Sequence, residues 1–262
     1  MNNAMSGTCG VGVVLVNGPA GSAAEFTMGE IIDVTIGLTR GWDVLYRLSS
    51  NSPVRPRLLF TADYKFVTLS VDPTTVPFPT NGSPTNADYT AREPLWRDPA
   101  LTAMGYSTGT GGIASYNRDL LNKAWSVGSA TSAYTVFITK YNAAWMAYTY
   151  ASSAYMVLQY PWLSAGTSAF PGRGWGNSWP MAYAHETGHI FQAPDEYFAS
   201  HCTRTSVHGA LHIPNANCEL VDKDTTSFPC LMSHNTENVC SPTVRTWGWV
   251  DDNHDGVLDV TP

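Results

Sequence analysis

Charged side chains are scarce in this sequence. They make up 13% of its 262 residues, against about 25% in ordinary soluble domains. Cations are the scarcer sign: 14 Lys and Arg face 21 Asp and Glu, for a net charge of −7. Such a chain lacks the basic footprint that nucleic acids or anionic membrane surfaces require. No apolar run reaches the length of a membrane-spanning helix. The opening residues Met1 to Ser6 have neither a basic n-region nor an apolar h-region and do not read as a signal peptide. There is no Cys-x-x-Cys pair among the five cysteines, which argues against a structural zinc site of the finger or ribbon kind.

Aromatic and turn-forming residues are plentiful: 9 Trp, 13 Tyr, 22 Gly and 17 Pro. That mixture suits a loop-rich extracellular protein of one main domain, long enough to bury a substantial core. Cys202, Cys218, Cys230 and Cys240 cluster late in the chain, as disulfides of an oxidising compartment would. Four cysteines allow three connectivities. Pairing Cys202 with Cys218 and Cys230 with Cys240 closes the shortest loops and leaves Cys9 over. The expectation is a secreted monomer whose signal has been removed.

Apolar spacing predicts an α/β (α+β) chain. Cys9 to Val16 is a β-branched run and reads as a strand, as do Arg57 to Val71, Ala133 to Tyr141 and Ala154 to Tyr160. Met28 to Ser49 carries apolar residues at helical spacing, weakened by Gly37 and Gly41. Pro94 to Met104 and Ile113 to Val127 read as further helices. Asp72 to Ala91 and Gly105 to Gly112 read as loops rich in turn residues. A helix from Trp179 to Phe191 is capped by Asn177 or Ser178 and stopped by Pro194.

On that last helix lies His185-Glu186-Thr187-Gly188-His189, an H-E-x-x-H sequence. Residues four apart share a helix face, so both imidazoles can reach one zinc, with Glu186 beside them to move a proton to or from water. Catalytic zinc takes three protein ligands and keeps one position open. Asp195, just beyond the helix stop, stands where a third ligand is needed, with Glu196 as the alternative.

With Met232 in Cys230-Leu231-Met232-Ser233-His234, the chain resembles the metzincin clan of zinc endopeptidases. Their pattern is H-E-x-x-H-x-x-G-x-x-H or Asp, followed by a Met-containing turn. His185, Glu186, His189 and Asp195 match it, and an acidic third ligand resembles the snapalysin-type branch. The resemblance covers residues 178 to 250. It implies a twisted mixed sheet, a backing helix, an active-site helix and an irregular disulfide-bonded C-terminal subdomain. It also implies that Glu186 is the general base and acid, that His185, His189 and Asp195 bind zinc, and that Met232 forms the floor beneath them. His234 falls where some members place a Tyr that reaches the reacting group. The strand before the motif helix, here Ala154 to Tyr160, would be the edge that receives a peptide. The chain departs from the pattern at Gln192, where a Gly allows the sharp bend. Either Gln192 adopts a left-handed conformation, at about 1 kcal/mol or more, or the bend differs and Glu196 replaces Asp195.

Residues 249–262 read as a tail or linker after a catalytic domain of residues 1–248. Asp251, Asn253, Asp255, Val257 and Asp259 stand at the spacing of the front half of an EF-hand-type calcium loop. The function expected is a secreted zinc endopeptidase acting on a protein or peptide. Two alternatives stay open: a catalytically silent adhesion module on the same scaffold, and a zinc amidase of cell-wall or glycopeptide linkages.

Overall fold

The computed structural model describes residues 4–76, 86–143, 145, 147–160, 179–222, 224–255 and 258–259. Strand β1 (Gly7–Asn17) lies inside a five-stranded mixed sheet. The others are β2 (Leu58–Thr68), β3 (Ser132–Thr139), β4 (Ala147–Tyr150) and β5 (Tyr155–Gln159). Their order is β2-β1-β3-β5-β4, with β4 antiparallel to β5 and every other pair parallel. Parallel strands are buried on both faces. On β1, Val11, Val13 and Leu15 accordingly join one apolar cluster and Val14 and Val16 the other.

Helices cover both faces. On one face lie α1 (Met28–Asn51) and α4 (Trp179–Ile190), which contribute Val34, Leu38, Leu45, Tyr183 and Ile190 to the first cluster. On the other lie α2 (Asn86–Ala103) and α3 (Gly109–Asn122), with Trp96, Leu101, Ile113 and Leu120. Helix α1 starts at a capping box: the Glu30 amide donates to Thr27 Oγ1 and the Thr27 amide to Glu30 Oε2. Its two glycines are sites of close approach. A Cβ on Gly41 would lie 2.5 Å from Tyr183 Cδ1, and one on Gly37 would lie 3.0 Å from the Trp179 ring. The helix propensity lost there lets α4 lie tightly against α1.

Two expectations need correction. Ala154 to Tyr160 is no edge strand: β5 runs between β3 and β4, and β4, unforeseen, ends the sheet. Helix α2 begins at Asn86, well before Pro94. The cap expected at Asn177 or Ser178 lies outside the described residues.

Beyond α4 the chain is irregular. A short hairpin of β6 (Val207–His208) and β7 (Ile213–Pro214) lies inside the loop closed by the Cys202–Cys218 disulfide. Two short helices follow, α5 (Leu231–His234) and α6 (Ser241–Thr246). Cys230 and Cys240 are not paired, contrary to the loop-closure expectation; the buried Glu196 carboxylate accepts from both thiols. Trp247 and Trp249 belong to the first apolar cluster. They also hold the first residues: Met5 N–H donates to the Trp247 carbonyl (2.9 Å), and Trp249 Nε1 donates to the Met5 carbonyl (2.6 Å). Among the described residues no helix is long and apolar enough to cross a membrane.

Candidate metal centre

Helix α4 brings His185 and His189 to one face, with ring centroids 4.7 Å apart. The helix then ends in a bend at Gln192, which takes the left-handed conformation (φ 68°) reserved for Gly in the motif. The Ala193 amide donates back to the Gly188 carbonyl across this bend (3.1 Å). The turn carries Asp195 back under the imidazoles: its Oδ1 lies 3.0 Å from His185 Nε2 and 3.2 Å from His189 Nε2. Glu196 turns the other way, into the protein, so of the two acids Asp195 is the one at the histidines.

The other ring nitrogens fix the tautomers. His185 Nδ1 lies 3.0 Å from the Leu231 carbonyl and His189 Nδ1 2.6 Å from the Ala193 carbonyl. Carbonyl oxygens only accept, so each Nδ1 carries a hydrogen and each neutral ring presents its Nε2 lone pair to Asp195. Three acceptors then face one another across a few ångströms, an arrangement that repels unless a proton or a cation lies among them. Two nitrogens and one carboxylate oxygen, each imidazole anchored by a backbone carbonyl, fit a zinc-type ion better than magnesium or calcium, which prefer all-oxygen shells.

The electrostatics agree. Burial works against a charged His189, but the Asp195 carboxylate outweighs it, helped by Glu186 and the Ala193 carbonyl. The result is a pKa pushed up to about 9. Burial would raise Asp195, yet the two imidazoles hold it far below the usual carboxylate range. In the metal-free protein a proton therefore occupies the place of a cation.

Glu186 sits on α4 beside the ligands, and its carboxylate is held from the sheet. Thr149 Oγ1 on β4 lies 2.7 Å from Glu186 Oε2 and 3.0 Å from the Glu186 carbonyl. These groups line a groove of about 970 Å3. Ala147, Tyr148 and Thr149 of β4 form one wall, and Val207, His208, Gly209 and His212 of the hairpin form another. Sequence reading missed Thr149, because β4 was not foreseen. Nor does the sequence mark His208 and His212, which also line the groove. His208 is held below its usual range, first by burial and then by the charge on His189.

Met232 lies directly behind α4, fully buried, and its Sδ occupies the space beside Gly188. His234 is turned to other partners: its Nε2 lies 3.3 Å from Glu219 Oε1 and its Nδ1 2.9 Å from Ser233 Oγ. In the C-terminal loop the Asp255 amide donates to Asp251 Oδ1 and Asn253 Oδ1, both at 3.0 Å. The Asp252 amide donates to Asp259 Oδ2 (2.9 Å), and Arg245 grips Asp252 through both guanidinium nitrogens. Val257 lies outside the described residues. The converging clusters of His, Cys, Asp and Glu among the described residues are elsewhere: His185-His189-Asp195 and Glu196-Cys230-Cys240. Comparison of the chain with family models, with curated proteins and with solved structures returned no match.

Proposed function

We infer that this chain is a secreted zinc-dependent endopeptidase of metzincin type, with His185, His189 and Asp195 as metal ligands. The observation that carries the reading is the convergence of two Nε2 lone pairs and one carboxylate oxygen on a common point, beside a buried glutamate. Zinc, when bound, supplies Lewis acidity toward a scissile carbonyl and toward water.

The chain's own residues do the rest. Glu186 takes a proton from water on its carboxylate and delivers it to the leaving amine. Thr149 holds Glu186 Oε2, which leaves Oε1 for that proton. The Leu231 and Ala193 carbonyls keep both imidazoles in the tautomer that offers Nε2. Among the described residues β4 is the last strand of the sheet and lines the groove, the position at which an extended peptide adds as a further strand. Met232, packed against Gly188, braces the helix that carries three of the four functional residues. The loop at residues 251–259, with Asp251, Asn253, Asp255 and Asp259 at EF-hand-type spacing, is assigned to calcium on that spacing.

The test is Glu186→Ala in the purified protein, with metal content measured beside cleavage of a peptide library. Retained zinc and abolished cleavage are expected. Undiminished cleavage would remove Glu186 from the mechanism. Cleavage confined to cell-wall peptides or glycopeptides would move the activity to an amidase, and zinc binding without any hydrolysis would leave a binding module.

A further inference from the structure

Behind the candidate centre lies a second cluster that the endopeptidase reading does not use. Glu196 is 1% exposed, Cys230 is fully buried and Cys240 nearly so. The Cys230 thiol lies 2.8 Å from Glu196 Oε2, and the Cys240 thiol lies 3.0 Å from Oε1 and 3.3 Å from Oε2. Asn217 Nδ2 donates to Oε2 (2.6 Å), and Thr243 Oγ1 donates to Oε1 (2.8 Å) and lies 3.2 Å from Cys240 Sγ. The Asn217 amide is itself fixed, because its Oδ1 accepts from the Phe228 N–H (2.7 Å). Among the described residues the side-chain partners of the carboxylate are thus neutral donors, and none is a Lys, Arg or His. A carboxylate buried without a cation is costly.

We propose that Glu196, Cys230 and Cys240 form a second metal site, which takes one thiophilic divalent ion of the zinc class as a structural element. Two sulfurs and a carboxylate oxygen within 4.8 Å of one another are a donor set that selects zinc over calcium or magnesium. Thr243 Oγ1 borders two of the donors, Glu196 Oε1 and Cys240 Sγ, and Asn217 supplies the outer hydrogen bond that orients a ligating carboxylate. The charge balances. Glu196 with two thiols carries −1, and so does Glu196 with two thiolates and a divalent ion. Binding therefore exchanges two thiol protons for one ion and leaves the buried charge unchanged. A surface cavity of about 410 Å3, lined by Asn217, Phe228, Val239 and Cys240 among others, gives an ion and the departing protons a way through. The ligands come from three separate segments, which is why no short cysteine spacing announces the site.

The position gives the ion a task. Glu196 follows Asp195 directly. Cys230 precedes Leu231, whose carbonyl orients His185, and Cys240 caps α6. An ion bound there ties the turn carrying Asp195 to the turn supporting His185.

The test is metal stoichiometry and cobalt spectroscopy on the full chain, purified without air and with Cys202–Cys218 intact. Two ions per chain are expected. A cobalt-thiolate charge-transfer band should persist in the His185→Ala/His189→Ala variant and vanish in Cys230→Ser/Cys240→Ser, each binding one ion. Two results overturn the proposal: a cobalt protein with no thiolate band, or a Cys230–Cys240 disulfide in the peptide map of the protein as purified. The wild-type spectrum decides even if a variant fails to fold. The two sites fail separately: one ion with a thiolate band, unaffected by loss of the histidines, would sustain this site and remove the endopeptidase centre.

Discussion

Met232 Sδ fills the space that a side chain on Gly188 would need: a Cβ there would lie 2.7 Å from the sulfur and 3.1 Å from the Trp247 ring. Gly188 sits between the two imidazoles on α4, so Met232 and the helix fit only without that carbon. Gly188→Ala should destabilise the fold by about 1–3 kcal/mol, the usual range for an overpacked core. Denaturant unfolding measures it. A variant as stable as the parent would show that Met232 has room to move, and Met232→Ala should then relieve nothing.

Thr149 spends its hydroxyl on Glu186 (2.7 Å). Thr149→Val keeps the shape and removes the donor. Relative to wild type it should lower kcat at least tenfold with KM and zinc content little changed, while Thr149→Ser restores most of the rate. An equal fall in Thr149→Ser and Thr149→Val would assign the loss to packing of β4 instead.

Stability with and without zinc should diverge as pH rises. In the metal-free protein the His189 pKa is raised to about 9. Its ion pair with Asp195 therefore contributes fully below about 6.5, the unfolded value, and is lost as pH climbs through 9. Asp195 is depressed, so its share is present above about 4 and is lost as pH falls further. Zinc needs a neutral His189. The gain in Tm on adding zinc should thus grow between pH 6.5 and 9, as differential scanning fluorimetry in zinc and in chelator would show. A gain that is flat across this window would mean that no proton leaves His189.

The Cys202–Cys218 disulfide closes a loop with a sequence separation of 16, and that loop carries the hairpin wall of the groove. Replacing both cysteines by Ala should cost about 3 kcal/mol on the loop-entropy scale. It should also raise KM for peptides more than it lowers kcat, since His208 and His212 lose their tether while α4 keeps its own. Peptide kinetics at a temperature where the variant stays folded separates the two effects.

Much of this arrangement is readable in the residues, and the parts that are not have identifiable causes. Spacing of four on a helix places His185 and His189 together whatever surrounds them, and a helix stop followed by an acid places Asp195. Strand β4 escaped because Ala147–Tyr150 is four residues long and half-buried throughout, so it has no apolar alternation to detect. Gln192 could be seen as a conflict but not resolved, because the hydrogen bond from Ala193 to Gly188 that closes the bend is a tertiary fact. Cys230 and Cys240 were misjudged for a related reason. Loop length favours pairing them, and nothing in the spacing reveals that a glutamate from 34 residues upstream of Cys230 lies within reach of both. Gly37 and Gly41 read as weak points in α1 until the facing aromatic rings were known.

The two tryptophans near the end of the chain set a condition on when the centre comes into being. Trp247 donates from its indole to the Gly188 carbonyl on α4 (3.2 Å) and accepts from Met5 at the other extreme of the sequence, while Trp249 closes the same knot. Segments 244 residues apart thus meet at the back of the motif helix, a contact of high sequence separation that slows folding. A nascent chain has no finished floor under its histidines until Trp249 has left the ribosome. The candidate centre is therefore complete only once both tryptophans have been made and have docked behind α4.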